Sequence, residues 1–450
     1  MSLQRFAELL EGGRPGTHRV ALREGALVDL AQLRGEVAHN AGRFGALGLG
    51  RAVLLCEDGL SFVVGLLALL RIGADIVLPP NLQPGTLAGF ADAYDAIITD
   101  RPSTALARSV ALEPAEPSAR PFAVDASRSR LHFFTSGSTG AMKRVEKSAA
   151  LLENEAAMLE RAWGERIGDA VTFGTVPHQH IFGLAFRVVW PLLAGRCFDA
   201  SAPFVWETLL AGLTPGAAIV SSPAHLTRLG GLLPLPPPLR PRLVFTAGAP
   251  LPAAAADECE AIFGGRPIEI FGSTETGALA WRSGADQPPW RPLPGVEVSS
   301  TAEGLLRVRS PALAGGAWCE LADRVTAAEG GGFRFEGRAD RIVKLEGKRV
   351  SLQKLEQDLL ELPWIEGAAV MPITGDRLLL GAVVALSAAG AGELARLGKF
   401  RFERLLRRAL SQTQEATALP RRWRFVRELP VDGMGKRRSA DILALLEAPA

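Results

Sequence analysis

The sequence predicts an α/β protein: a large N-terminal domain of α/β layers with mostly parallel sheets, followed by a small C-terminal α+β domain. Two patterns carry this expectation. Short apolar runs end in small or turn-forming residues: LHFFT (131–135), VTFGTV (171–176), AIVS (218–221), LVFT (243–246) and IEIF (268–271). Helix-like stretches separate such runs, as in Ala149–Trp163, where Leu151, Leu152, Glu155, Met158 and Leu159 mark one face. Strands alternating with helices favour a parallel sheet, and ligands of such sheets gather at the carboxyl ends of the strands. In this chain those ends carry loops rich in Gly, Ser and His.

From about residue 340 the patterns shorten. GFRFEGRAD (332–340) reads as a strand and a turn, and SLQKLEQDLL (351–360) as an amphipathic helix opened by a serine cap. IEGAAVMPI (365–373) and LLLGAVVALS (378–387) read as strands, and LARLGKFRFERLLRRAL (394–410) as one basic helix. The boundary is placed at Gly337–Asp340, giving domains 1–337 and 338–450. The proline-rich stretch 232–241 is expected to be a surface connection.

Composition narrows the function classes. With 450 residues, 48% hydrophobic and 22% charged, the chain resembles an ordinary soluble protein with room for two or three domains. A formal net charge of +2 argues against nucleic acid as the main partner. The apolar run Phe62–Leu70 meets Arg71 and Asp75 well short of the roughly 20 residues a membrane span requires, so a buried helix followed by a buried strand is expected. Residues 1–20 show no signal-peptide core, and Glu8 and Glu11 come early. The cysteines (Cys56, Cys197, Cys259, Cys319) are scattered without a CxxC pair, as small core residues of a reducing cytoplasm would be. Cytoplasmic residence is the expectation.

The sharpest local feature is FFTSGSTGAMKR (133–144). An apolar strand runs into hydroxyls and glycines, with Lys143 close behind. Glycines let backbone amides turn toward an anion, hydroxyls add donors and the lysine adds charge. It is not a Walker A loop, because GxxxxGK[ST] does not occur. Downstream lie PHQHIFG (177–183), FGSTETG (271–277), LADRV (321–325), GRADRIVKLEGKRVSLQKLE (337–356) and LPVDGMGKRRS (429–439). Taken in order, these segments resemble the motifs of the adenylate-forming superfamily, which includes acyl- and aryl-CoA synthetases, adenylation domains and luciferases. The resemblance extends from about residue 25 to about residue 440.

The resemblance implies roles for individual residues. Ser136, Gly137, Ser138, Thr139 and Lys143 would hold the β- and γ-phosphates of ATP, in a loop that begins at Thr135 and reaches Gly140. Glu275 would bind Mg²⁺ and Thr274 the α-phosphate, with Gly248, Ala249, Gly272 and Ser273 completing the nucleotide site. Phe271 takes the place of the usual tyrosine beside adenine. Asp323, helped by Arg338, would accept the ribose hydroxyls, although Leu321 and Ala322 replace the usual Thr-Gly. Lys436 would stabilise the charge that gathers as a carboxylate attacks the α-phosphate. Asp340 falls at the hinge about which a mobile C-terminal domain turns between adenylation and thiol transfer. Gly347 would then leave room for a pantetheine arm. Met142 stands where a proline is usual, and Arg437–Arg438 follow Lys436 directly.

His178 and His180 would share a face on a strand, but no third ligand accompanies them for zinc. By resemblance His180 borders the acyl pocket, with Ser222, Gly248, Ala249 and Gly272 leaving space for a planar ring or a modest aliphatic chain. The implied activity is an ATP- and Mg²⁺-dependent acid–thiol ligase that forms an acyl- or aryl-adenylate. It would pass the acyl group to the phosphopantetheine thiol of CoA or an acyl carrier protein. HQHIFGLAFRVVWPLLAGR (178–196) and the compact length are similar to AMP-ligases of aryl-polyene and xanthomonadin-type pigment pathways, which implies a hydroxybenzoate or hydroxycinnamate. Between Arg396 and Arg438 there are 13 Lys/Arg against 4 Asp/Glu, a basic face suited to an acidic carrier protein or to the extra phosphate of CoA. One alternative is a medium-chain fatty acyl-CoA synthetase. Another is a non-catalytic sensor of nucleotide or acyl-adenylate, which would be expected to lose Lys436, Glu275 or the phosphate loop; all are present.

Overall fold

The computed structural model describes the chain apart from residues 1–2, 80–93, 103–107, 119, 137–141, 346–347, 374–377, 415, 432–436, 438 and 449–450. Its first large sheet has six strands in the order Ser109–Ala111, Ala96–Thr99, Arg51–Leu55, Asp75–Leu78, Arg130–Ser136 and Met142–Ser148. Neighbours pair in parallel except for the last two, which form an antiparallel hairpin. The expected apolar helix packs here as Gly59–Ile72, with every residue from Gly59 to Leu70 buried. Asp58 caps it by accepting the Ser61 amide at 2.7 Å, and Gly73 ends it in the left-handed region.

The second sheet has nine strands, parallel through its centre and antiparallel at both edges. Its central strands Ala218–Ser221, Leu243–Ala247 and Ile268–Ser273 begin where the apolar runs predict. The run at 171–176 is shorter than expected, a strand only at Thr172–Gly174. There the chain leaves the sheet: the Thr175 hydroxyl bonds that of Ser221 at 2.8 Å, and the next residues turn toward the histidine segment.

The helix Ala149–Ile167 and the helical stretch Ile181–Ala194 pack against each other and this sheet. Their contact is aromatic. Trp163 lies 5.1 Å from Phe245, 6.0 Å from Trp281 and 6.4 Å from both Phe186 and Trp190, centroid to centroid. Leu184–Val189 is a wide π-helical turn. Its Arg187 is fully buried and donates to the Val176 and Asp199 carbonyls. Burial pushes that guanidinium down to about 10.

A four-stranded antiparallel sheet follows: Glu297–Ser300, Leu305–Arg309, Cys319–Ala328 and Gly332–Arg338. It joins the nine-stranded sheet through the bridge between Trp290 and Phe333. Beyond it, Ile342–Leu345 and Lys348–Ser351 pair as strands and lead into the helix Leu352–Leu360, whose Ser351 cap accepts the Lys354 amide at 3.2 Å. A three-stranded sheet of Ile365–Ile373, Leu379–Leu386 and Arg422–Val426 completes this part. Its buried side chains, among them Leu355, Leu359, Val384, Phe402, Leu406 and Trp423, form a cluster distinct from the main core.

The single basic helix expected at 394–410 is two helices, Ala388–Leu397 and Lys399–Leu410. Gly398 separates them with φ 75° and ψ 159°, a conformation that interrupts the helical hydrogen bonds and that glycine adopts readily. Among the described residues no helix is long and apolar enough to cross a membrane.

Candidate active site

The acidic motif is a tight hairpin turn. Ile268–Ser273 and Gly277–Arg282 run antiparallel, with Ser273 opposite Gly277. The buried Thr276 hydroxyl accepts the Ser273 amide at 3.0 Å and donates to the Gly277 carbonyl at 2.9 Å. This lock pushes Thr274 and Glu275 to the tip. Gly272 must be glycine, because a Cβ there would come within 2.2 Å of the Gly277 carbonyl oxygen.

The segment 133–144 contributes to the neighbouring hairpin of Arg130–Ser136 and Met142–Ser148. Thr135 pairs with Lys143 and Ser136 with Met142 across it. Gly137, Ser138, Thr139 and Gly140 lie outside the described residues, and Thr135, Ser136 and Met142 are described as backbone only. Lys143 reaches from this hairpin to the acidic turn, its ammonium 3.2 Å from Oε1 of Glu275. Burial works against the charge of Glu275, yet its own backbone amide, Lys143 and Ser273 hold the carboxyl below the ordinary range. It therefore remains ionised at neutral pH.

A second lysine underlies the first. Lys147 is buried, and its ammonium donates to the Glu275 carbonyl at 3.1 Å and the Ala312 carbonyl at 3.5 Å. Burial lowers its pKa, while Glu155 and Glu275 pull it back up. Glu155, on the helix Ala149–Ile167, is buried too and accepts the Ala278 amide at 2.8 Å. Neither residue belongs to any of the sequence motifs. The available signal was a carboxylate on the apolar face of a predicted helix.

Beside the turn lies a cleft lined by Glu155, His180, Ile181, Phe182, Phe186, Ala247, Gly248, Ile270, Gly272, Ser273, Thr274, Gly277 and Ala278. It brings together His180, Gly248, Gly272, Ser273 and Thr274 from the sequence expectation. Ala249 follows Gly248 on an exposed loop. Ser222, expected in the pocket wall, is outside this lining: it caps a short helix and bonds Nδ1 of His225 at 2.9 Å.

The two histidines separate because their segment is a turn, not a strand. His178 points into the core, where Nε2 donates to the Cys56 carbonyl at 2.8 Å and the ring packs 4.7 Å from Phe62. Burial, with Arg187 nearby, depresses it to about 3, so it is neutral. His180 precedes the helical stretch and lines the cleft.

Phe271 sits against Trp290 and Phe333, both at 5.3 Å, and Phe335 at 6.0 Å. Asp323 and Arg338 are register partners on adjacent strands, with Nη1 3.6 Å from Oδ1. Asp340 lies in the short turn Ala339–Arg341, described as backbone only, while Gly347 and Lys436 lie outside the described residues. Arg437 donates to the Ala368 carbonyl of the C-terminal sheet. Among the described residues no group of three or more His, Cys, Asp or Glu side chains could hold a metal ion by itself.

On this mostly parallel α/β scaffold the hairpin that carries Lys143 meets the acidic turn at Glu275. Residues 13–304 match the family model described as AMP-binding enzyme. The 4-coumarate–CoA ligase of Cereibacter sphaeroides is 30% identical over 311 residues, 69% of this chain and 70% of that protein. The 4-coumarate–CoA ligase of Rhodobacter capsulatus is 32% identical over 314 residues, 69% of this chain and 75% of its own. Among solved structures, o-succinylbenzoate CoA synthetase of Bacillus subtilis in complex with its acyl-adenylate intermediate superimposes with a TM-score of 0.79. That likeness, at 18% identity, covers 100% of this chain and 99% of the other and concerns the fold. The chain belongs to the AMP-binding enzyme family, within the adenylate-forming superfamily. Its class is that of the AMP-forming acid–thiol ligases.

Proposed function

We propose that the protein activates an aryl acid bearing a hydroxyl group, such as a hydroxycinnamate or hydroxybenzoate, and loads it onto a phosphopantetheine thiol. The observation that carries this reading is the Lys143–Glu275 contact, which ties the phosphate-loop hairpin to the acidic turn whose Ser273 and Thr274 line the cleft. One end of the cleft thus offers the hydroxyls of Ser273 and Thr274, next to the charged pair. The other is walled by Phe182 and Phe186 and floored by small residues, a shape suited to a flat ring. The 4-coumarate relatives favour the same acid class.

In this reading the acid's carboxylate attacks the α-phosphorus of ATP near Thr274 and pyrophosphate leaves. Lys143, with Ser136–Thr139, holds the β- and γ-phosphates. Glu275 fits a Mg²⁺ shared with the nucleotide: it is a single ionised, partly exposed carboxylate, and Mg²⁺ commonly takes one or two carboxylates plus phosphate oxygens and water. Bound there, the ion would neutralise phosphate charge. Asp323 with Arg338 receives the ribose, Phe271 flanks adenine, and Lys436 stabilises the charge between the two anions. Residues 338–450 then turn about Asp340, Gly347 admits the pantetheine arm, and the thiol displaces AMP from the acyl carbon. The acceptor is CoA or an acyl carrier protein drawn to the exposed Lys399, Arg401, Arg404 and Arg408. Cytoplasmic residence suits these substrates.

The test is pyrophosphate release with ATP, Mg²⁺ and a panel of hydroxycinnamates, hydroxybenzoates and C6–C12 fatty acids. Release driven by the aryl acids supports the reading, and release driven only by fatty acids overturns it in favour of a fatty acyl-CoA synthetase. Lys436→Ala is expected to abolish release while ATP still binds.

A further inference from the structure

Glu155 takes no part in the chemistry above, yet it lines the cleft. The side chain is nearly inaccessible at 2% exposure, and only Oε1 is answered, by the Ala278 amide. Among the described residues Oε2 has no hydrogen-bond partner. Gly277 makes room for it, since a Cβ at that position would lie 2.7 Å from Oε2. A buried carboxylate oxygen left unanswered is costly, and the nearby Lys147 charge offsets only part of that cost. Any apolar residue would suit the same helix face without it.

Exposure sets the direction of the cleft. Gly272 and Ser273, on the first strand of the hairpin, are exposed, whereas their register partners Ala278, at 4%, and Gly277 are buried with Phe186, at 1%, and Glu155, so the cleft deepens from the first strand toward the second. An acid whose carboxylate meets Thr274 near the mouth therefore points its far end inward. We propose that Glu155 is a specificity-determining residue whose Oε2 accepts a hydrogen bond from a hydroxyl at the far end of the acyl substrate. This rests on the adenylation reading above, but not on the substrate being aromatic. Burial raises the Glu155 carboxyl, with Lys147 and the Ala278 amide pulling it back. A hydroxyl suits both protonation states, because it can donate to the carboxylate or accept from the acid.

The experiment compares kcat/KM for pyrophosphate release between paired acids: para-hydroxycinnamate with cinnamate, para-hydroxybenzoate with benzoate, and ω-hydroxydecanoate with decanoate. Sites built to bond a hydroxyl reject analogues lacking it strongly, so the wild type is expected to favour the hydroxylated member of its preferred pair by about 100-fold or more. Glu155→Leu should bring that ratio within about threefold of unity, with Glu155→Gln in between. A wild-type ratio near one, a ratio unchanged in Glu155→Leu, or equal loss for both members of a pair overturns the proposal. If Glu155→Leu does not fold, Glu155→Gln and the wild-type ratio still decide. Preference for ω-hydroxydecanoate that depends on Glu155 would sink the aryl reading while leaving this inference standing. Calorimetric titration of the same pairs reads the preference without turnover, so a failure of the adenylation reading cannot conceal a failure at Glu155.

Discussion

Lys143 and Lys147 stand four residues apart on the strand Met142–Ser148, on the same side of it by strand alternation, and both reach Glu275. Lys143 is 63% exposed and meets the carboxylate, which is itself 40% exposed. Lys147 is almost wholly buried and meets the backbone carbonyl of the same residue. Water screens the first contact, which is worth at most about 1 kcal/mol to the fold and is readily exchanged for a phosphate. The second holds the turn in place from below, in a setting where an unmet charge or carbonyl is costly. One strand thus carries an exposed cation that can exchange its partner and a buried one that fixes the turn.

Four experiments can break or sharpen that contrast. Lys147→Met should cost the most stability, about 3 kcal/mol, because Glu155 keeps its burial and loses its nearby charge. Denaturant unfolding measures this, and a loss under about 1 kcal/mol would erase the distinction between the lysines. Lys143→Ala should unfold within about 1 kcal/mol of the parent yet release pyrophosphate about 100-fold more slowly. Gly272→Ala tests the turn backbone. Its collision with the Gly277 carbonyl should cost about 2 kcal/mol by the same unfolding assay.

The last test concerns the histidines, where the same buried-versus-open division recurs. His178 has a folded pKa of about 3, below its ordinary 6.5, so the unfolded chain binds the extra proton between those values. Stability should therefore be complete above pH 6.5 and fall by about 1.4 kcal/mol per pH unit on acidification toward pH 3. His178→Gln should flatten that slope, and an unchanged pH profile of unfolding would contradict the burial argument.

Much of this arrangement was legible before any coordinates. Apolar runs capped by small residues located the strands, since a parallel strand buried on both faces reads as a continuous hydrophobic stretch. His180, Gly248, Gly272, Ser273 and Thr274 come from three segments of the sequence expectation, and one cleft collects them. Other features depend on contacts that one sequence does not display. Ser222 has a local partner, His225, that competes for its hydroxyl. The break at Gly398 hides inside a basic pattern that reads as helical on both sides. Glu155 and Lys147 gain their importance from being buried near each other, across a junction of helix and strand.

The aromatic packing behind the cleft has an optical consequence. The chain holds eight tryptophans and a single tyrosine, and three of the tryptophans (Trp163, Trp190 and Trp281) cluster in the layer behind Phe186. Whatever settles against Phe186 is one ring away from strong ultraviolet emitters. The protein thus carries an intrinsic fluorescent reporter of its own occupancy, readable without a label and before any product is formed.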